Sequence, residues 1–304
     1  MTAFTLRCHL SPGDIAVLST TVRDLHASYP GRFTTHMDTS CPAVFEQSPL
    51  VSDEPGELIQ MEMPLIKTSN TNGLHMQHGF RMWLEKRLGL AIPSGPLRPD
   101  LYLSDEEKHA PEPFVRDGRP VWLLNAGSKS DYTIKQWSHT RFQQVIESLP
   151  QIHFVQVGQM NHEHPRFNGV TDLIGRTSLR ELIVLASKCD GALTGNSALM
   201  HLAAAFVKPG VVISGGREPA SWCQYENQTF LHTIGQLDCC RFGACWKWRI
   251  YPRHDGMTGP DGESLDRADK LCLQPMEGEH FQPQATCMAL ITVDTVAKAI
   301  IGYL

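Results

Sequence analysis

Residues 191–216 read GALTGNSALMHLAAAFVKPGVVISGG, and the fold class can be inferred from the pattern of this segment. Gly191–Thr194 and Val211–Ser214 are short apolar runs typical of strands, and Ala198–Phe206 between them is an alanine-rich segment of helix length. A strand, a helix and a second strand in this order indicate a parallel α/β sheet. Ligands of open α/β sheets bind beyond the carboxyl ends of the strands, so we expect a site next to both strands.

The same alternation occurs on both sides of a proline-rich stretch. Before it, Phe4–Leu10 and Phe33–Met37 are strand-like, and the apolar spacing from Ile15 to Leu25 predicts a helix between them. The stretch itself carries six prolines between Pro93 and Pro120, which disfavour regular structure and indicate a connector. After it, strand-like and helical segments alternate again; they are Val121–Asn125, Ser138–Leu149 with Ser138 as the cap, Ile152–Val157 and Leu179–Ser187.

We therefore predict an α/β fold of two Rossmann-like lobes with a cleft between them. The first lobe spans residues 1–115 and the second spans residues 116–238. Residues 239–290 form a cysteine-rich segment with little helix or strand periodicity, and residues 291–304 have the apolar spacing of a closing helix. The cleft between the lobes is the expected ligand site.

Composition excludes several classes of protein. The 304 residues are 41% hydrophobic and 19% charged, which is typical of a globular enzyme and excludes a disordered chain or a coiled coil. A formal net charge of −5 disfavours a protein built mainly to bind nucleic acid. The sequence shows neither a membrane-spanning apolar run nor a signal peptide, and its cysteine count is odd at nine. We expect a cytoplasmic protein with no membrane span and with reduced thiols or a metal site.

The helix that follows Gly195-Asn196 is a candidate phosphate site. Ser197 is placed to cap this helix, and the free N–H groups of a helix N-terminus suit a diphosphate. His201 lies four residues on, which places it on the same helix face as Ser197. The alternative interpretation is a capping serine followed by an ordinary buried histidine.

Three more loops carry candidate groups. Gly127-Ser128 follows a strand, with Lys135 close behind it, and this loop could hold a phosphate. Gly215-Gly216 would let the backbone approach a ligand, and Arg217 could pair with phosphate. Gly13-Asp14 places a carboxylate where it could take a proton from an acceptor hydroxyl. The alternatives are a solvated lysine, a structural turn and an aspartate that stabilises a helix N-terminus.

Taken in order, these motifs resemble those of glycosyltransferase family 9, the ADP-heptose:lipopolysaccharide heptosyltransferase family. The resemblance covers roughly residues 5–220. It is carried by Gly13-Asp14-Ile15 with Leu25 and Tyr29-Pro30, Ser48–Val51, Pro99–Ser104, Asn125-Ala126-Gly127, Lys135-Gln136-Trp137, Asp172–Leu182, Gly195-Asn196-Ser197 and His201–Ala205.

The resemblance implies a GT-B fold and an inverting, metal-independent transfer of a sugar, heptose or related. The donor would be a nucleotide sugar, with an ADP-sugar favoured, and the acceptor would be a hydroxyl of a glycan, a protein or a modified nucleic-acid base. Asp14 matches the family's acidic residue and would be the catalytic base. The donor-binding set would be Gly13, Gly127, Ser128, Lys135, Asn196, Ser197, Ala198, His201, Gly215, Gly216 and Arg217.

The chain departs from the family pattern at two positions of the donor segment. Asn196 stands where an acid is usual, and Ala198 stands where a glycine is usual, which could change the donor preference. Two other interpretations therefore remain open. One is a non-catalytic relative that only binds a nucleotide sugar. The other is transfer to a modified nucleic-acid base, for which Trp246 and Trp248 lie among basic residues.

The cysteine-rich segment is a candidate metal site. Four thiolates in a short irregular stretch can fold it around Zn²⁺ or iron, and the set would be Cys240 (or Cys239), Cys245, Cys272 and Cys287. A subset of heptosyltransferase relatives is similar in having a four-cysteine iron site near the C-terminus, although the spacing differs. The alternative is a group of free buried thiols. The remaining cysteines are expected in the core; they are Cys8, Cys41, Cys189 and Cys223.

Overall fold

The first lobe is a small parallel α/β unit. The computed structural model describes residues 2–259, 261–278 and 283–304 of the chain. The strands of the first lobe pair in the order β2-β1-β3, and they are β1 (Thr2–Cys8), β2 (Phe33–Thr39) and β3 (Glu57–Gln60). Helix α1 (Pro12–Ser28) connects β1 to β2, which confirms the predicted opening of strand, helix and strand. The α1 side chains Ile15, Leu18 and Leu25 are fully buried.

The rest of the first lobe was not predicted from its sequence pattern. Three further helices follow β3, and they are α2 (Ser69–Asn72), α3 (Gln77–Leu88) and α4 (Asp105–His109). Helix α3 buries Phe80 and Leu84, which are four residues apart and therefore share one helix face. It ends at Gly89, whose φ of +63° is a left-handed conformation that glycine adopts readily.

The second lobe contains a six-stranded parallel sheet in the order β6-β5-β4-β7-β8-β9. The strands are β4 (Val121–Asn125), β5 (His153–Gln156), β6 (Thr171–Asp172), β7 (Gly191–Gly195), β8 (Gly210–Gly215) and β9 (Gln228–His232). The connecting helices are α5 (His139–Ser148), α6 (Leu179–Lys188), α7 (Ala198–Ala205) and α8 (Ala220–Cys223). The strand order reverses between β4 and β7, and ligands of such sheets bind at this switch point.

Both predicted serine caps, Ser138 and Ser197, are present, and Ser178 caps a third helix of this lobe. The Ser138 hydroxyl accepts a hydrogen bond from the N–H of Arg141, as expected for the start of α5. Ser178 begins α6 in a reciprocal capping box with Glu181. Ser197 caps α7 by accepting from the N–H of Leu199. These caps fix the directions in which the helices leave the strand ends.

The two lobes pack directly against each other. Helix α1 of the first lobe lies on α7 of the second, and residues of both lobes belong to one hydrophobic core. Arg180 on α6 pairs with Glu107 of α4 and donates to the backbone oxygen of Tyr102. The two Rossmann-like lobes are confirmed, but their boundaries at residues 115 and 116 stay predictions because the core is shared.

The C-terminal segment contains only short regular elements among its described residues. A two-stranded antiparallel ribbon pairs β10 (Pro275–Glu277) with β11 (Pro283–Ala285), and the short helix α9 (Thr286–Ala289) follows it. Within this segment, fully buried Arg249 forms ion pairs with Asp255 and Asp266. The predicted closing helix is present as α10 (Val293–Ile301), which packs on α5 and β8.

Membrane insertion by a helix finds no support in this fold. Across residues 2–259, 261–278 and 283–304, no helix has the length and apolar character that a bilayer crossing requires.

Candidate functional site

The candidate site lies where the N-terminus of α1 faces the strand ends of the second lobe. Lys135 follows β4, Asn196 follows β7, and Arg217 follows β8. Asp14, in the first turn of α1, is close enough to Lys135 for the two charges to interact. The fold therefore brings together the predicted base and the predicted phosphate-binding cations at the switch point of the sheet.

A buried carboxylate lies at the centre of these groups. The side chain of Glu218 is 8% exposed, and its Oε1 lies 3.0 Å from Lys135 Nζ. The Arg217 guanidinium forms an ion pair with the same carboxylate, and the Asn196 side-chain amide donates a hydrogen bond to it. Lys135 also donates to the backbone oxygen of Asn196 at 3.3 Å. Two cations, one carboxylate and one amide thus form a single cluster.

Aromatic rings form one wall of the cluster. The guanidinium carbon of Arg217 lies 4.8 Å from the ring centre of Tyr132, and Lys135 Nζ lies 5.1 Å from it. Trp248 stacks on the other side of Tyr132, with 4.6 Å between the ring centres. Trp246 also lies under Arg217 at 5.2 Å. Such rings stabilise the charged form of a cation that lies over them, so they favour the protonated forms of Lys135 and Arg217.

Asp14 has the environment of a tuned carboxylate. Burial raises its pKa above the ordinary range, and the Ser11 hydroxyl, which donates to Asp14 Oδ2 at 2.6 Å, lowers it. The charges of Lys135 and Lys129 also lower it. A carboxylate with a raised pKa is a stronger base once ionised, and the two lysines favour the ionised form.

The N-terminal residues of α7 make side-chain contacts within the protein, in addition to their predicted role in ligand binding. Ser197 Oγ lies 2.7 Å from Thr194 Oγ1, and Ala198 is the first residue of the helix. His201 is buried, its Nδ1 lies 2.7 Å from the Tyr225 hydroxyl, and burial lowers its pKa to about 3. The imidazole is therefore neutral at physiological pH and adds no positive charge for a phosphate.

Gly13 explains how the two helices approach so closely. A Cβ atom at Gly13 would lie 2.8 Å from Cδ2 of His201, which is closer than side chains tolerate. The absence of a side chain at Gly13 therefore allows α1 to contact α7. Gly13 therefore allows close packing at the lobe interface, and its predicted contact with the donor stays a prediction.

The loop after β4 is occupied by its own packing. A Cβ atom at Gly127 would lie 2.1 Å from Cε1 of the His164 ring. Ser128 is buried, and its backbone exchanges hydrogen bonds with Glu163 at 3.0 and 2.9 Å. These contacts are made within the protein, and the roles of Gly127 and Ser128 in donor binding stay predictions.

The two glycines after β8 face the C-terminal segment. Gly215 has a φ of +62°, and a Cβ there would lie 2.5 Å from the sulfur of Met288. A Cβ at Gly216 would lie 3.1 Å from the sulfur of Cys240. The space left by both glycines is thus filled by this chain's own side chains, although a backbone contact with the donor stays a prediction.

The backbone of the cysteine-rich segment supports the β8 loop. The N–H of Cys245 donates to the Gly216 oxygen at 3.0 Å, and the N–H of Trp246 donates to the Arg217 oxygen at 3.1 Å. Arg217 Nε donates to the Lys247 oxygen at 2.7 Å. These three bonds hold the guanidinium of Arg217 against the site.

All four predicted metal ligands line one small cavity, together with Cys239. The four ligands are Cys240, Cys245, Cys272 and Cys287. Gly216 and Leu237 also line the cavity. Burial raises the pKa of Cys239 to about 11 and that of Cys287 to about 12, so these thiols hold their protons strongly without a metal. Within the part of the chain that the structure describes, no three or more His, Cys, Asp or Glu side chains are arranged to hold an ion.

Sequence reasoning missed two residues of the site. Glu218 is the shared partner of three predicted residues, and Tyr225 holds the imidazole of His201. An acid between Arg217 and Pro219 at a strand end was the available signal for Glu218. No local pattern distinguishes Tyr225, because its partner lies on a different element.

Comparison with solved structures gives the same fold over nearly the whole chain. A family 9 glycosyltransferase from Veillonella parvula is 14% identical with a TM-score of 0.64, covering 99% of this chain and 97% of that one. The iron-containing dodecameric glycosyltransferase TibC from enterotoxigenic E. coli is 18% identical with a TM-score of 0.64, covering 99% and 76%. TibC has also been solved with ADP-D-β-D-heptose. E. coli ADP-heptose LPS heptosyltransferase II is 15% identical with a TM-score of 0.53, covering 100% and 98%.

These likenesses confirm the predicted GT-B fold. No curated protein matches the sequence. The model of glycosyltransferase family 9 (heptosyltransferase) matches residues 67–240, which is more than half of the chain. The protein therefore belongs to glycosyltransferase family 9 and is a glycosyltransferase.

Proposed function

We propose that this glycosyltransferase moves a sugar, heptose or related, from an ADP-sugar to an acceptor hydroxyl with inversion and without a catalytic metal. The observation that carries the proposal is the convergence of Asp14 with Lys135 and Arg217 at the switch point of the second sheet. A base and a cationic diphosphate site facing each other across a cleft are the two parts that such a transfer needs. TibC, which has this fold, binds ADP-D-β-D-heptose, and this supports ADP as the nucleotide.

Asp14 would act on the acceptor. Its carboxylate takes the proton of the acceptor hydroxyl while the hydroxyl oxygen attacks the anomeric carbon of the donor. The bond from that carbon to the diphosphate oxygen breaks, and its electron pair leaves with ADP. A single displacement of this kind inverts the anomeric centre. The neighbouring lysines favour the ionised form that Asp14 needs as a base.

The leaving diphosphate would be stabilised by the second lobe. Negative charge grows on the diphosphate as the bond breaks, and fixed cations near that position lower the barrier. Lys135 and Arg217 supply positive charge, and the N-terminus of α7 at Ser197 supplies free N–H groups. These groups perform the task that a divalent cation performs in other transferases, which supports the metal-independent mechanism.

Replacing the proposed base tests this function. Asp14→Asn keeps the shape of the side chain, so the variant should bind ADP-glucose or ADP-heptose as wild type does while turnover falls by about 10²–10⁴-fold. Turnover is measured as ADP release with an acceptor, or as donor hydrolysis without one. Asp38→Asn is the matched control, because Asp38 is a first-lobe carboxylate that pairs with Arg7 and His9 instead of the cluster.

Each result has a defined meaning. Full turnover by Asp14→Asn would remove Asp14 as the base. Binding of the ADP-sugar by wild type without transfer or hydrolysis would favour the non-catalytic relative instead. Failure to bind any ADP-sugar, with binding of another nucleotide sugar, would correct the donor while leaving the transferase assignment in place.

We also propose that Cys240, Cys245, Cys272 and Cys287 hold a structural Zn²⁺ or iron ion. The support is that all four side chains line one cavity in a segment with few regular elements. A bound metal would keep the thiols deprotonated and would fix the segment that supports Arg217. Elemental analysis of purified protein should find about one metal per chain, lost in Cys245→Ser and kept in Cys189→Ser, whose buried cysteine lies elsewhere. Wild-type protein without stoichiometric metal would overturn this proposal.

A further inference from the structure

Within the part of the chain that the structure describes, Glu218 is the carboxylate that forms ion pairs with both Lys135 and Arg217, the proposed phosphate-binding cations. Its side chain is 8% exposed, and that of Arg217 is 6% exposed. A buried carboxylate is stable only when it is paired and hydrogen-bonded, and Lys135, Arg217 and Asn196 supply those partners.

We propose that Glu218 is a positioning residue that keeps Lys135 protonated and fixed beside Arg217, ready for the donor diphosphate. Without Glu218, two cations would lie close together in a poorly hydrated place, and like charge and burial both favour loss of the lysine proton. Glu218 reduces the charge of the pair from two to one, which keeps both side chains charged. This inference deepens the proposed function and rests on it for the identity of the ligand.

Asn196 fits this role of Glu218. The side-chain amide of Asn196 donates a hydrogen bond to Glu218. A carboxylate at 196 would touch the carboxylate of Glu218, and two such groups in contact hold a proton between them instead of two negative charges. An amide at 196 therefore lets Glu218 stay ionised beside Lys135 and Arg217.

Lys135 lies among several charged groups, and Glu218 is the carboxylate that contacts its ammonium. Burial and the neighbouring Arg217 lower the pKa of Lys135 to about 7, Asp14 raises it, and a contacting carboxylate favours the charged form of a lysine. The remaining ionisable neighbours are Asp14, Lys129, Tyr132, His201 and Cys223. Burial lowers the pKa of His201 to about 3 and raises that of Cys223 to about 12, so neither changes charge at neutral pH.

Chemical labelling of Lys135 tests the proposal without any ligand. Neutral amines react with acetic anhydride and protonated amines do not, so the labelling rate against pH reports the lysine proton. Burial gives Lys135 a pKa of about 7, so the comparison is made at about pH 5, where the wild-type lysine is protonated. Mass spectrometry should show Lys135 labelled about ten times faster in Glu218→Gln than in wild type at this pH, which corresponds to a pKa lowered by about one unit. Exposed Lys86 on α3 is the internal control and should react at the same rate in both proteins.

A double variant that exchanges the acid and the amide between positions 196 and 218 is a second test. Asn196→Asp with Glu218→Gln returns one carboxylate to the cluster and should bring the Lys135 labelling rate back towards wild type. Equal labelling of Lys135 in wild type and Glu218→Gln, with both proteins folded by circular dichroism, would overturn the proposal. Repeating the comparison in the Asp14→Asn background excludes Asp14 as the group responsible.

Donor binding separates this inference from the proposed function. ADP-glucose is the probe, because its doubly esterified diphosphate does not titrate near neutral pH. Its affinity for Glu218→Gln should fall about fourfold between about pH 5 and about pH 6.5, whereas wild type, in which the pKa of Lys135 is about 7, should change less than about twofold. Wild type that fails to bind the probe would count against the proposed donor, while the labelling result would still decide the role of Glu218.

Discussion

Two loops at strand ends of the second sheet carry the same kind of sequence, glycine followed by polar or charged residues, yet they do different work. In the loop after β4, Gly127 makes room for the His164 ring, and Ser128 is tied to Glu163. In the loop after β8, Gly215 and Gly216 make room for the cysteine-rich segment, and the next two residues enter the site. Glycine in such loops therefore indicates close packing, and the partner decides whether it is a ligand or the protein itself.

The difference also explains how Arg217 and Glu218 are held. The β8 loop is hydrogen-bonded to residues 245–247 of the cysteine-rich segment, whereas Gly127 and Ser128 at the start of the β4 loop pack against His164 and Glu163. The cysteine-rich segment is thus a support for the cationic side chains of the site. Backbone hydrogen bonds to Gly216 and Arg217 therefore connect the proposed metal centre to the proposed donor site.

The largest expected effect comes from removing the β8-loop cation. Arg217→Ala should weaken ADP-glucose binding by about 10–100-fold, because charged hydrogen bonds contribute about 1.5–3 kcal/mol each. Isothermal titration calorimetry measures the dissociation constant. Lys129→Ala is the control from the β4 loop; this exposed lysine should matter by less than about twofold. Equal losses of ADP-glucose affinity in both variants would show that the two loops contribute alike to donor binding and would contradict the difference described above.

A smaller effect should follow from filling the space at Gly127. Gly127→Ala places a methyl group against His164 and should lower the free energy of unfolding by about 1–3 kcal/mol. The affinity for ADP-glucose at a temperature where the variant is folded should stay within about twofold of wild type. Denaturant unfolding and calorimetry measure the two quantities.

A second substitution makes that prediction specific. His164→Ala in the Gly127→Ala background frees the space that the new methyl group needs and should restore part of the lost stability. A loss of donor binding that His164→Ala does not correct would instead mean that Gly127 approaches the ligand.

The second lobe was predictable because most of its strands are buried on both faces. Strands β4 and β8 are nearly continuous apolar runs, and their predicted bounds differ from the observed ones by at most one residue at either end. Strand β3 was missed because only Ile59 of its four residues is buried, so no apolar pattern marks it. Helix α3 was missed because its apolar residues are few and its polar ones numerous.

The site was predictable as a set of residue types and less so as a set of partners. Asp14, Lys135, Asn196 and Arg217 were all chosen from loops at strand ends, and the structure places them together. The role of Glu218 depends on side chains that arrive from three different strand ends, which no local pattern contains. The same reason hides the contacts of Gly216 with Cys240 and of Gly13 with His201.

A crystal structure with ADP bound would show whether Lys135 and Arg217 form the diphosphate site. We expect the diphosphate at the ends of β7 and β8, within hydrogen-bond distance of Lys135 Nζ and the Arg217 guanidinium. We also expect the side of the diphosphate that these cations do not contact to face Asp14. A diphosphate bound instead at Gly127-Ser128, away from Lys135 and Arg217, would contradict the proposed donor site.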